Sequence, residues 1–252
     1  MADEPAAPER FFGGLQDQGF DVRFSYHADA IIGLHFPDVI DELTQILGDI
    51  DVPMHEIMGS GGGEAKVTQR LRKRLSASGW KKTNFDVHKS INEAMTYATS
   101  HEVDHVKKFD HGTIALEIEW NNKDPFYDRD LENFQRLHAD GAISLGILVT
   151  RGKSLQDGLT DRMRQFLVAN GIHDFASLEA FGIKRTDRQK ADIENRLLRD
   201  PDFPSAVAHH YKSDKFGTST THWEQLNNRF ARGVGSPCPL VGIGIPYAKI
   251  SG

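Results

Sequence analysis

Apolar positions along this chain follow two rhythms, and each predicts an element. Between Asp38 and Leu47, Val39, Ile40, Leu43, Ile46 and Leu47 recur at helical spacing, and Val67, Leu71 and Leu75 do so further on; both segments are expected to be amphipathic helices. The joint between them, Gly59-Ser60-Gly61-Gly62-Gly63-Glu64, lacks the Gly-Lys-Ser/Thr ending of a nucleotide-cradling loop and reads as a flexible connection. A period of two then takes over. Residues His101 to Lys107 and Thr113 to Trp120 flank Asp110-His111-Gly112, a turn signal that closes a hairpin. In the second run Ile114, Leu116, Ile118 and Trp120 fall on one face, while Ala115, Glu117 and Glu119 fall on the other. Asp124-Pro125 and Asp128 provide a helix start for Leu131, Phe134 and Leu137, and the nearly unbroken apolar run Ala142 to Val149 predicts a buried central strand. Further helices are expected near Asp161 to Ala169 and Trp223 to Phe230, with a last strand at Leu240 to Ile245. Hairpin, helix and buried strand in that order describe an α/β fold with a mixed central sheet flanked by helices.

Composition narrows the class. The 252 residues, 38% of them hydrophobic, suffice for one substantial core. No apolar run is long enough to span a bilayer and the first ten residues carry no signal-peptide core, so a soluble, cytoplasmic protein without a membrane partner is expected. The single cysteine, Cys238, rules out an internal disulfide and a multi-cysteine zinc cluster. A formal net charge of -6 argues against binding nucleic acid by bulk basicity, yet every charged residue from Lys66 to Lys82 is positive, which concentrates a phosphate-attracting surface on one segment.

The candidate chemistry lies on the hairpin. If the turn centres on His111-Gly112, Asp104 faces Glu119; if it centres on Asp110-His111, Asp104 faces Glu117. Either register gathers three carboxylates on one face, an arrangement that repels itself without a cation, and hard oxygen ligands of this kind suit magnesium. Overlapping this set, His101-Glu102-Val103-Asp104-His105 matches the His-Glu-x-x-His pattern of zinc peptidases. That chemistry requires His101 and His105 one helical turn apart, whereas a strand separates them by roughly 13 Å.

The stretch Ala115-Leu116-Glu117-Ile118-Glu119-Trp120-Asn121-Asn122-Lys123-Asp124-Pro125-Phe126, followed by Asp128-Arg129-Asp130-Leu131, resembles the central segment of the BglII-type restriction endonucleases. Gly61-Gly62-Gly63-Glu64-Ala65, Ser219-Thr220-Thr221-His222 and Cys238-Pro239 also resemble stretches of that family. The resemblance implies the PD-(D/E)xK nuclease fold and a Mg²⁺-dependent type II endonuclease. Such an enzyme hydrolyses double-stranded DNA at a short palindromic site, leaves 5′ phosphates and works as a homodimer. Asp104 and Glu117 would hold the metal with the backbone carbonyl of Ile118. Glu119 takes the third catalytic place, where most of the superfamily has lysine, and Glu64 is an additional catalytic candidate. Asn121, Asn122, Lys123, Arg151, Ser219, Thr220, Thr221 and His222 are candidates for DNA contact. The corresponding organisation is a tail over residues 1–20 and one nuclease domain over 21–252, with its catalytic core at about 60–152 and recognition elements at about 153–252. Three other readings compete: a structure-selective repair nuclease of the same fold, a zinc peptidase using His101, Glu102 and His105, and a DNA-binding module without catalysis.

Overall fold

The computed structural model describes residues 11–59, 63–92 and 94–252. Ser60, Gly61 and Gly62 of the expected joint lie outside them. A short helix α1 (Gly13–Asp17) buries Leu15 in the main core beside Phe12 and Phe20, so apolar residues within the expected tail are packed. Strand β1 (Asp21–Ser25) and helix α2 (Ala28–His35) lead into α3 (Pro37–Gly48). Pro37 opens α3 with a preset φ, and the helical stripe Val39, Leu43, Ile46 and Leu47 is buried as its spacing requires. After β2 (Val52–Pro53) and α4 (Met54–Met58), the basic helix α5 (Lys66–Ala77) buries Val67, Leu71 and Leu75 and turns its charges outward.

A long antiparallel hairpin follows, β3 (Lys81–Ile91) against β4 (Ala94–Phe109), and β4 turns tightly into β5 (Gly112–Glu119). Helix α6 (Pro125–Ala139) then crosses to β6 (Leu145–Arg151), whose seven residues are all buried. This strand starts later than the apolar run suggested, because Ala142 and Ile143 donate their backbone N–H groups to Leu137 O and close the end of α6, with Gly141 at a φ of 72°. Helix α7 (Lys153–Ala169) begins directly after Gly152 and takes in the predicted 161–169 segment. Helices α8 (Phe175–Ala180), α9 (Asp187–Leu197), α10 (Phe203–Lys215) and α11 (Trp223–Ala231) precede β7 (Leu240–Ile245) and the short β8 (Ile250–Ser251), which pairs with β2.

Among the described residues the main sheet has six strands in the order β1-β7-β6-β5-β4-β3, with β5, β6 and β7 parallel and the rest antiparallel. Helices cover both faces, which is why β6 and β7 are buried throughout instead of alternating. On one face Ile114, Leu116, Ile118 and Trp120 join the main core; on the other, Ala115 and Leu148 pack under α6 and α11. Gly146 sets the depth of α6: a Cβ there would lie 2.4 Å from the ring of Phe134, so only a glycine lets this helix sit so close to the sheet. That seating decides where the acidic residues of α6 end up.

Candidate active site

The β4–β5 turn centres on Asp110-His111. Phe109 pairs with Gly112 and the register runs back to His105 opposite Leu116, so the next step places Asp104 across from Glu117. Glu117 Oε1 accepts the Asp104 backbone N–H at 3.2 Å. On its other edge β4 is irregular, with Lys81 opposite Val106 but Thr83 opposite Val103, so three steps on β4 match two on β3. The resulting bulge at Asp104-His105 re-aims the Asp104 side chain outward, where Oδ1 lies 3.7 Å from Lys82 Nζ. Lys82 also holds Glu102 at 2.7 Å. Ile118 turns its side chain into the main core while its backbone is registered against Val149 of β6.

Glu117 and Glu119 lie on the face of β5 covered by α6 and are almost fully buried, 8% and 3% exposed. A third acid meets them there. Asp130, 3% exposed, comes down from α6 one turn before Phe134. Its Oδ1 accepts from Arg129 Nε at 2.9 Å, and Arg129 Nη2 stands 3.9 Å from Glu119 Oε1. Asn122 Nδ2 donates to Glu119 Oε2 at 2.7 Å. Asp130 is not among the sequence candidates, since it stands there only in the stretch Asp128-Arg129-Asp130-Leu131 that carries the resemblance. The signal was its phase: Tyr127, Asp130, Leu131, Phe134 and Leu137 form one buried stripe, and a carboxylate on an apolar stripe calls for an explanation.

Burial raises the proton affinity of all three groups, and neighbouring negative charge adds to it for Glu117 and Glu119. Glu119 is pushed up to about 8, first by burial and then by the charge of Asp130. Burial, with Asp130 and Asp104 nearby, holds Glu117 well above the usual carboxylate range. Asp130 is raised by burial against the opposing pull of Arg129. A stability effect follows for the metal-free protein. The folded state keeps a proton on Glu119 up to about pH 8, whereas the unfolded chain releases it near 4.5. The stabilisation is therefore complete below the unfolded value and is lost as pH rises through the folded one. In chelator, the melting temperature is expected to fall between about pH 5 and 8.5, and Glu119→Gln to flatten that slope. Thermal unfolding at several pH values checks this; a melting temperature that climbs across the window contradicts it.

Among the described residues no three His, Cys, Asp or Glu side chains are already gathered as a metal cage. Glu119 and Asp130 face each other in hydrogen-bonding contact, Glu117 adjoins them, and Asp104 is turned towards Lys82. The donor set fits a hard divalent cation: three acidic side chains with oxygen donors removed from water, and one oxygen, Asp130 Oδ2, without a hydrogen-bond partner. The zinc pattern is corrected, since β4 is a strand through both histidines. His105 Nδ1 pairs with Leu116 O at 3.2 Å and His101 Nε2 with Thr99 Oγ1 at 3.5 Å.

The other candidates separate into surface and interior. Glu64 pairs with Arg72 at 2.9 Å and lines a cavity of about 420 Å³ with Trp120 and Asn121; Trp120 belongs to the face of β5 opposite Glu117 and Glu119. Asn121, Asn122 and Lys123 are exposed, and their loop is tied to the α10–α11 loop: Lys123 bridges Thr220, Thr221 N donates to Asn122 O at 2.8 Å, and Asp124 N to Ser219 O at 3.0 Å. Arg151 is the clearest correction. It is wholly buried, donating to Trp120 O and Thr221 O at 2.6 Å, to Thr220 Oγ1 at 2.7 Å and to Gln156, with its guanidinium over the ring of Phe216. It braces the loops and presents nothing to a base edge. Thr221 and His222 are buried as well, which leaves Ser219 exposed and Thr220 half-buried at that surface.

A helix-flanked mixed sheet, with buried acids on the strand that closes an antiparallel hairpin, defines a protein of the restriction-endonuclease fold. The chain belongs to the BglII/BglIII family: the family model described as Restriction endonuclease BglII/BglIII matches residues 20–245. None of the curated proteins matches it. Membership makes the chain a nuclease of a restriction system with DNA as substrate. Among the described residues no helix is long and apolar enough to cross a membrane.

Proposed function

We propose that this protein is a type II site-specific endonuclease that cuts double-stranded DNA at a short palindromic sequence, in the cytoplasm, by Mg²⁺-dependent hydrolysis leaving 5′ phosphates. The supporting observation is the buried set Glu117, Glu119 and Asp130 beside the backbone of Asp104, in a chain of a restriction-endonuclease family. Glu117 and Asp104 would hold magnesium with the carbonyl of Ile118, and Glu64 is kept as an additional acid. Bound magnesium would neutralise charge developing on the phosphate oxygens. Asn122 fixes Glu119 Oε2, and with bound magnesium lowering its proton affinity the Glu119 carboxylate would orient the attacking water and take its proton. Arg129, more than half exposed beside this acid, and Lys123 give the approaching phosphate a positive flank. Asn121, Asn122, Lys123, Ser219 and Thr220 share one surface through the paired loops and are the proposed DNA contacts. A homodimer would match the two-fold symmetry of a palindrome.

Plasmid DNA incubated with purified protein and Mg²⁺ is expected to give discrete fragments with ligatable 5′-phosphate ends. A smear, cutting confined to branched DNA, or a gel shift with no cutting would overturn the assignment.

A further inference from the structure

Asp130 has more burial and less satisfaction than an ion-pair partner needs. Arg129, its neighbour, has a side chain 56% exposed, and a surface carboxylate would serve it equally well. Asp130 instead projects inward from α6, and three anchors hold it there. Phe134 drops onto Gly146, Tyr127 shares a 2.5 Å hydroxyl contact with Thr150 of β6, and Arg229 of α11 grips Asp124 at 3.1 Å and Asp128 at 2.8 Å at the start of the helix. With α6 fixed at both turns, the Asp130 carboxyl is pressed against Glu119. Arg129 satisfies Oδ1; Oδ2, shielded from water, has no hydrogen-bond donor. Two buried acid oxygens meet there in a contact that only a shared proton or a cation can hold together.

We propose that Asp130 is a carboxylate of the divalent-cation site, contributed by helix α6 and not by the hairpin, and that it shares the cation with Glu119. This inference rests on the nuclease reading and adds a fifth acid to Asp104, Glu117, Glu119 and Glu64. Arg129 then has a second function: its charge offsets the repulsion between the acids while the ion is absent.

Direct binding of Mn²⁺ to the full-length protein, counted by electron paramagnetic resonance and free of any cleavage readout, tests the assignment on wild type, Asp130→Asn, Glu117→Gln and Arg129→Met. Asn keeps the acceptor for Arg129 and removes the charge. Asp130→Asn is expected to weaken Mn²⁺ binding at least about tenfold, with cooperative melting retained. Arg129→Met, which leaves a more negative site, is expected to tighten it. Should Asp130→Asn fail to fold, the Arg129→Met result decides: weaker binding overturns the proposal. If Glu117→Gln loses Mn²⁺ while Asp130→Asn binds like wild type, the two acids share a proton instead, and the inference falls while the nuclease assignment stands. If wild type itself binds no Mn²⁺, with or without duplex DNA, the metal-dependent reading fails and takes this one with it.

Discussion

Glu117→Gln is expected to lower the single-turnover rate of DNA cleavage by about three orders of magnitude, the scale on which removing a preorganised electrostatic group acts on a charged transition state. The side chain is 8% exposed, and its Oε1 receives the Asp104 backbone N–H that holds the two strands of the hairpin in register at the site. Glutamine preserves that acceptor, so the hairpin keeps its geometry; the negative charge is what disappears. The same substitution removes one member of a mutually repelling buried set, so the metal-free variant is expected to melt at or above the wild-type temperature. Rate and melting temperature thus move independently. A variant that keeps more than about a tenth of the wild-type rate places the chemistry elsewhere.

Arg151→Met carries the largest expected loss of stability. Its guanidinium is fully buried without a carboxylate beside it, and protein acceptors take its place: two backbone carbonyls, a threonine hydroxyl and the Gln156 amide. These join the exit of β5, the start of α7 and the approach to α11. Methionine fills much of the volume but leaves Trp120 O and Thr221 O unsatisfied in the interior, at a cost of about 3–5 kcal/mol. For a chain of this size that is a fall in melting temperature on the order of 10 °C. Lysine offers one charged point where four hydrogen bonds spread over a planar fork are needed, so Arg151→Lys is expected to recover only part of the loss. Calorimetry separates this from a base-reading role: a variant that melts like wild type but cuts altered sequences would show that the bracing account is wrong.

Local pattern carried much of this molecule. The stripes of α3 and α5, the apolar runs of β6 and β7 and the alternation of β5 all reflect which faces are covered, and coverage is written directly into residue spacing. Asp110-His111-Gly112 accommodates either of two registers; Phe109 opposite Gly112 selects the one that brings the Asp104 backbone to Glu117. Edge strands were less legible. Asp21–Ser25 is short and half-buried, and Lys81–Ile91 is rich in polar residues because much of it lies at the border of the sheet. The bulge that turns Asp104 outward exists only between two strands, so no single run of residues encodes it. Arg151 misled for a similar reason. At the end of an apolar strand it resembles a residue reaching for DNA, and its acceptors Thr220 and Thr221 lie about seventy positions away. Asp130 was within reach, since its place on the buried stripe of α6 was readable, but what it faces was not.

The central claim is that buried acids on β5 and α6 trap a divalent ion beside the hairpin. Crystals soaked in Mn²⁺ and measured at the manganese absorption edge test it most directly. The expected result is an anomalous peak about 2.2 Å from carboxylate oxygens of Glu117 and Asp104. A map with no peak at that position, or with its only peak at His101 and His105, would contradict it.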